Sequence, residues 1–177
     1  PQPKCLLVLY SSLPEGAIHP VAHEYFYADT LQQGDIMSSS VAFRNVSDAP
    51  MDSLFVRYRI ENEAGQSIKI MDKNLKPLAP GDTLHADFSM DTRLLNGPYR
   101  YFAYMNFDSV QPELRLNNNV YFHKFFVALD NRNPLLDVTF DGMHIMDGDL
   151  ISPKPIINVS LKDDNPFLAL SDTTAFD

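Results

Sequence analysis

Tryptophan is absent from this 177-residue chain, and cysteine occurs once, at Cys5. A single thiol excludes any intramolecular disulfide, so the fold must rest on its core. Cys5 lies in Lys4-Cys5-Leu6-Leu7-Val8-Leu9, the setting of a small buried hydrophobe and not of an activated nucleophile. Long apolar runs are also missing. None approaches the roughly 20 residues that a spanning helix requires, which excludes helical membrane insertion, and no signal peptide is present. Positive charge is scarce: 14 Lys and Arg stand against 23 Asp and Glu, for a net charge of −9. That field repels nucleic-acid backbones and anionic lipid, and no basic stripe offsets it.

Helical periodicity is scarce too. Thirteen prolines are spread along the chain, and few windows reach helix length without a proline or a Gly-containing turn. What remains is strand pattern and a good supply of core material, 45% hydrophobic. The chain starts Pro-Gln-Pro-Lys without an initiator Met, and we read it as an excised piece of a longer, exported protein.

Short strands are expected over Lys4–Tyr10 and Tyr25–Thr30, with residues 11–24 a loop. After the turn at Gly34-Asp35, Ile36–Asn45 places Met37, Val41 and Phe43 on one parity. The clearest strand is Ser53–Glu61. Leu54, Val56, Tyr58 and Ile60 share one side, and Arg57 and Arg59 the other, the mark of a sheet with one dry and one wet face. Ser67–Ile70 and Thr83–Met90 follow. Tyr99–Phe107 and Val120–Leu129 are apolar on both parities, as central strands are. Strands separated by turns in this way predict an all-β, antiparallel sandwich. The polar stretch Asp130-Asn131-Arg132-Asn133-Pro134 marks a boundary. It divides residues 1–130 from 131–177, a small β unit with expected strands at Leu136–Phe140, Met143–Met146, Leu150-Ile151 and Pro155–Lys162. The unit is too small to be stable alone, and we read it as the truncated start of a second sandwich.

Several segments carry a family resemblance. They are Gly34-Asp35, Phe43-Arg44-Asn45-Val46-Ser47, Phe55-Val56-Arg57-Tyr58, Leu78-Ala79-Pro80-Gly81-Asp82-Thr83, Leu95-Asn96-Gly97-Pro98-Tyr99 and Asp108 through Asn117-Asn118-Asn119. In this order and spacing they resemble the CARDB family, bacterial cell-adhesion-related modules with an immunoglobulin-like β-sandwich. The tail, Asn133 to Gly142 with Gly148-Asp149-Leu150-Ile151-Ser152 and Leu161-Lys162-Asp163-Asp164-Asn165, resembles segments of large surface proteins of gliding, type IX-secreting bacteria. Some of those carry a gingipain-like (C25) cysteine peptidase domain upstream. The resemblance implies an extracellular or cell-surface location and a place after the catalytic domain. None of that peptidase's catalytic His or Cys motifs occurs in this chain.

Chemistry-bearing motifs are few. His19 and His23 have i, i+4 spacing, but Pro14 and Pro20 argue against a helix that would present them to zinc. No Gly-x-Ser-x-Gly elbow is present, and no catalytic residue is assigned. Calcium takes clustered carboxylate and carbonyl oxygens, and its candidates are Asp147, Asp149, Asp163 and Asp164. Asn106, Asp108 and Glu113 form a further oxygen-rich stretch. Asp and Asn are equally ordinary turn residues. The cluster Tyr99, Tyr101, Phe102, Tyr104, Tyr121 and Phe122 suits either a sugar-stacking platform or, as we expect, a sandwich core. The expected function is a non-catalytic spacer or interaction module without a cofactor. Its partners would be neighbouring domains of the same polypeptide or another surface protein, with a carbohydrate-binding module as the alternative.

Overall fold

The computed structural model describes residues 13–18 and 28–167. The expected strand at Lys4–Tyr10, with Cys5, lies outside them, as do His19 and His23. The described residues form ten strands and no helix: β1 Gly16–Ile18, β2 Thr30–Gln32, β3 Ile36–Asn45, β4 Leu54–Asn62, β5 Ser67–Leu75, β6 Thr83–Asp91, β7 Gly97–Met105, β8 Val120–Ala128, β9 Leu135–Phe140 and β10 Ile157–Lys162. β1, β3 and β6 form a three-stranded sheet, and β2, β8, β7, β4 and β5 form a five-stranded one in that order. All pairings are antiparallel except β2 on β8.

The two sheets face each other across one core. Met37, Val41 and Phe43 from β3 and Ala86 and Phe88 from β6 meet Val56, Tyr58 and Ile60 from β4 and Tyr101 and Ala103 from β7. The alternation legible in the sequence has a direct cause. Successive side chains of a strand point to opposite faces, so every second residue enters the space between sheets. Tyr58 is the central cross-sheet contact. Its ring lies 4.9 Å from Phe88 and its hydroxyl donates to the Asp87 carbonyl at 3.1 Å. At the start of β7, Gly97 adopts φ +87, which its missing Cβ permits, and the chain reverses there after Asn96.

Several expectations are corrected. Residues 16–18, expected in a loop, form β1, because Gly16 brings the backbone against the Phe43 ring and completes the ladder with Asn45, Arg44 and Phe43. Of the strand expected at Tyr25–Thr30, residues 28–30 are described, and only Thr30 is in a strand, where β2 starts. β5 extends five residues beyond Ile70, since Met71 and Leu75 still reach the core edge. Met143–Met146 and Leu150-Ile151 form no strand. Met143 makes one bridge to Phe140, and a turn follows.

Residues beyond the 130–134 linker contribute a separate two-stranded hairpin, β9–β10. Its register puts Leu136, Val138 and Phe140 beside Leu161, Val159 and Ile157 on one side, with Asp137, Thr139, Asn158, Ser160, Lys162 and Leu135 on the other. Asn165 ties the base of the hairpin to the sandwich by donating to the Gln33 carbonyl at 2.8 Å, and Arg132 pairs with Asp164 at 2.9 Å.

Candidate functional site

The aromatic cluster divides by parity. Tyr101 is fully buried, and Tyr99 and Tyr121 pack against the core, as expected for a sandwich. Phe102, Tyr104 and Phe122 do not. They point to the opposite, outer face of the five-stranded sheet, which no second layer covers among the described residues. The expectation of core packing is therefore corrected for these three. β7 and β8 are apolar on both parities, as a doubly covered strand would be, yet the described residues pack only one of their faces.

The outer face is a mosaic of rings and cations. Arg57, Arg59 and Glu61 of β4 lie opposite Tyr104, Phe102 and Arg100 of β7. Phe102 and Arg100 in turn lie opposite Phe122 and Lys124 of β8. Phe102 and Tyr104 stack at 5.6 Å, and Phe102 meets Phe122 at 5.1 Å. The Arg57 guanidinium sits 4.0 Å over the Phe107 ring, and that of Arg59 sits 5.1 and 5.3 Å from the Phe102 and Tyr104 centroids. Such placement exploits the negative ring face and is worth about 0.5–1 kcal/mol at an exposed site. Arg57 is also held by a two-point contact with Asp72, at 2.7 and 2.6 Å. That contact raises the Arg57 pKa and lowers that of Asp72. Glu61, nearly buried, forms ion pairs with both Arg59 at 2.8 Å and Arg100 at 3.2 Å. Beyond this, Phe107, Phe122 and Phe126 stay 44%, 46% and 45% exposed. A groove of about 640 Å³ lies at one end of the face, lined in part by Pro98, Arg100, Phe122, Lys124 and Phe126.

The calcium candidates form two separate pairs. Asp147 and Asp149 lie in the loop that joins β9 to β10, and Asp163 and Asp164 lie past the other end of β10. A six-residue strand separates the two pairs by about 20 Å at the usual strand rise. Asp149 accepts the Met146 amide at 2.7 Å, Asp163 accepts the Asn165 amide at 2.9 Å, and Asp164 pairs with Arg132. These are turn and strut roles. Among the described residues, no group of three His, Cys, Asp or Glu side chains could hold a metal ion.

Glu113 is used differently again. Its carboxylate accepts from the Gly16 amide at 2.7 Å, from Asn119 at 2.8 Å and from Asn106. Glu15 answers from the other side, accepting from Leu114 at 2.8 Å, Arg115 at 3.1 Å and Asn118 at 3.0 Å. The loop between β7 and β8 is thus clamped to β1 by two carboxylates nearly a hundred residues apart. Burial raises the Glu113 pKa, the three donors oppose that, and neighbouring Glu15 adds to it.

One grouping looks like catalytic chemistry at first sight. Ser40, His85 and Asp87 meet on the outer side of the three-stranded sheet. The Ser40 hydroxyl donates to Asp87 at 2.7 Å and lies 3.4 Å from His85 Nδ1. A nucleophilic triad needs the serine proton to pass to histidine while the acid orients the ring. Here the acid holds the serine itself, so the geometry is that of a surface hydrogen-bond cluster.

Comparison with known proteins bears on the fold. No protein-family model and no curated relative matches the sequence. Among solved structures, the CARDB domain of the PF1109 protein from Pyrococcus furiosus, crystallised in complex with di-metal ions, is similar at 22% identity and a TM-score of 0.52. It covers 67% of this chain and 97% of its own. A solution structure of that domain gives 22% identity and a TM-score of 0.53, over 67% of this chain and 99% of that one. The chain is therefore an all-β protein whose sandwich has the CARDB-type, immunoglobulin-like fold.

Proposed function

We propose that this chain is a non-catalytic interaction and spacer module of a larger, exported, surface-associated protein. One observation carries the reading. The outer face of the five-stranded sheet exposes Phe107, Phe122 and Phe126 beside ring-stacked arginines. An antiparallel sheet with a solvated face ordinarily alternates apolar inside with polar outside. Phe, Tyr and Arg are the residue types enriched at interface centres. The mechanism is geometric: the sandwich holds this face rigid, and the hairpin past residue 131 sets the direction of the next unit. The apolar side of that hairpin suits the inner layer of a second β unit, which supports reading 131–177 as the start of one. The tail's resemblance to surface proteins of type IX-secreting bacteria supports a position downstream of a C25-type peptidase domain.

The test places a photo-crosslinking residue at Phe122 in the full-length parent, with Ser89 on the other sheet as control. The expected result is a discrete adduct from position 122 and none from 89. Equal labelling from both positions, or none from either, overturns the reading. Hydrolysis of a protein or glycoside substrate by the purified chain would overturn the non-catalytic part.

A further inference from the structure

We infer that the outer face of the five-stranded sheet docks a polypeptide segment of the partner that carries one or two acidic residues, a carboxylate seating between Arg100 and Lys124. This deepens the interaction reading above and rests on it. Arg100 and Lys124 stand directly opposite each other on β7 and β8. Like charges in that position repel, and a counter-charge seated between them relieves the repulsion. Glu61 serves Arg100 in part but is shared with Arg59. Lys124 has no ion-pair partner among the described residues. The guanidinium donors also outnumber their acceptors: Nε of Arg59 and Nε of Arg100 are buried without one among the described residues. The strand faces here carry four cations against Asp72 and Glu61, and Asp29 and Glu63 at the groove balance the total, so the opening lies in unmatched donors and not in net charge.

The Lys124 ammonium, unpaired among the described residues and beside guanidinium donors that lack acceptors there, selects a partner that brings a carboxylate. A second copy of the chain brings the same net −9 and is repelled on approach. The groove beside the two cations has apolar walls in Pro98, Phe122 and Phe126, and its volume of about 640 Å³ suits one or two side chains. Asp29 and Glu63 also line it, which disfavours a polyanion and favours an isolated acid next to an apolar residue. Sugar stacking needs open ring faces. Here guanidinium groups lie over Phe107, Phe102 and Tyr104, so a saccharide would first have to displace them.

The experiment selects peptides from a random displayed library on the whole chain. The enriched peptides, polygalacturonate and cellohexaose are then titrated by NMR on the labelled protein. Enriched peptides should pair an acid with an aromatic or aliphatic residue, and shift the amides around Arg100, Phe122 and Lys124. Lys124→Glu should weaken them at least tenfold, and Phe126→Ser at least fivefold, with the unfolding temperature unchanged. If Lys124→Glu fails to fold, Lys124→Gln and the salt dependence of binding supply the same readout. Peptides without acids, peptides that map elsewhere, or affinities unchanged by both substitutions overturn the proposal. Polygalacturonate or cellohexaose binding on this face without peptide binding overturns the polypeptide partner but leaves the interaction reading standing. No adduct from Phe122 together with no ligand on the face overturns both.

Discussion

Tyr58 offers the sharpest test of how the two sheets hold together. Its side chain is fully buried, its ring touches Phe88 at 4.9 Å and stacks near Tyr101 at 6.4 Å, and its hydroxyl donates to the Asp87 carbonyl across the sandwich at 3.1 Å. Tyr58→Phe removes the hydrogen bond alone, which costs about 1 kcal/mol net. Tyr58→Ala also removes the ring, and buried aromatic-to-alanine changes cost about 3–5 kcal/mol because the cavity collapses only in part. For a chain of 177 residues, each kcal/mol lowers the melting temperature by about 2–4 °C. The expected losses are therefore about 2–4 °C for phenylalanine and about 6–20 °C for alanine. The assay is urea unfolding followed by tyrosine fluorescence and circular dichroism, with melting as a second readout. Tyr104→Ala is the control, because that ring lies on the outer face, over which Arg59 sits, and its loss should cost about 1 kcal/mol. If Tyr104→Ala destabilises as much as Tyr58→Ala, or Tyr58→Phe as much as Tyr58→Ala, the assignment of inner and outer faces is wrong.

Three further outcomes are expected. Gly16→Ala should destabilise the attachment of β1, since an added Cβ would stand 2.0 Å from the Phe43 ring; overpacking of this kind costs about 1–3 kcal/mol, and an unfolding midpoint equal to wild type would contradict it. Glu113→Gln keeps one accepting oxygen and turns the other into an NH2 that faces at least one N–H donor, and should cost about 1–3 kcal/mol, with faster amide exchange at Gly16 as the local readout; unchanged exchange there would refute the clamp. Stability should also vary with pH at two groups of opposite sign. His123 is held below its ordinary 6.5, chiefly by burial, so its contribution is present above pH 6.5 and is lost as pH falls through the lowered folded value. Glu113 is held above its ordinary 4.5, so its contribution is present below pH 4.5 and is lost as pH rises through the raised folded value. His123→Asn should flatten the first slope and Glu113→Gln the second, read as unfolding midpoints across pH 4–7; slopes unchanged in both variants would count against these assignments.

The sequence by itself determined the all-β character and the inner faces of β3, β4 and β6. There an apolar residue recurs at every second position opposite polar ones, and only one orientation buries it. The expected boundary near Asp130 rests on the change of pattern there to Asn, Arg and Pro. The sequence could not decide the faces of β7 and β8. Both parities there are rich in aromatics, so period alone is silent, and only the presence of a second sheet on one side separates Tyr101 from Phe102. Nor could it show that Arg100 and Lys124 are neighbours, because register between strands is set by the whole ladder. The same holds for the acids. Glu113 and Asp163 read alike as oxygen donors in polar stretches. Tertiary contact alone made Glu113 a clamp on Gly16, since the amide it satisfies lies 97 residues away, and left Asp163 a local turn.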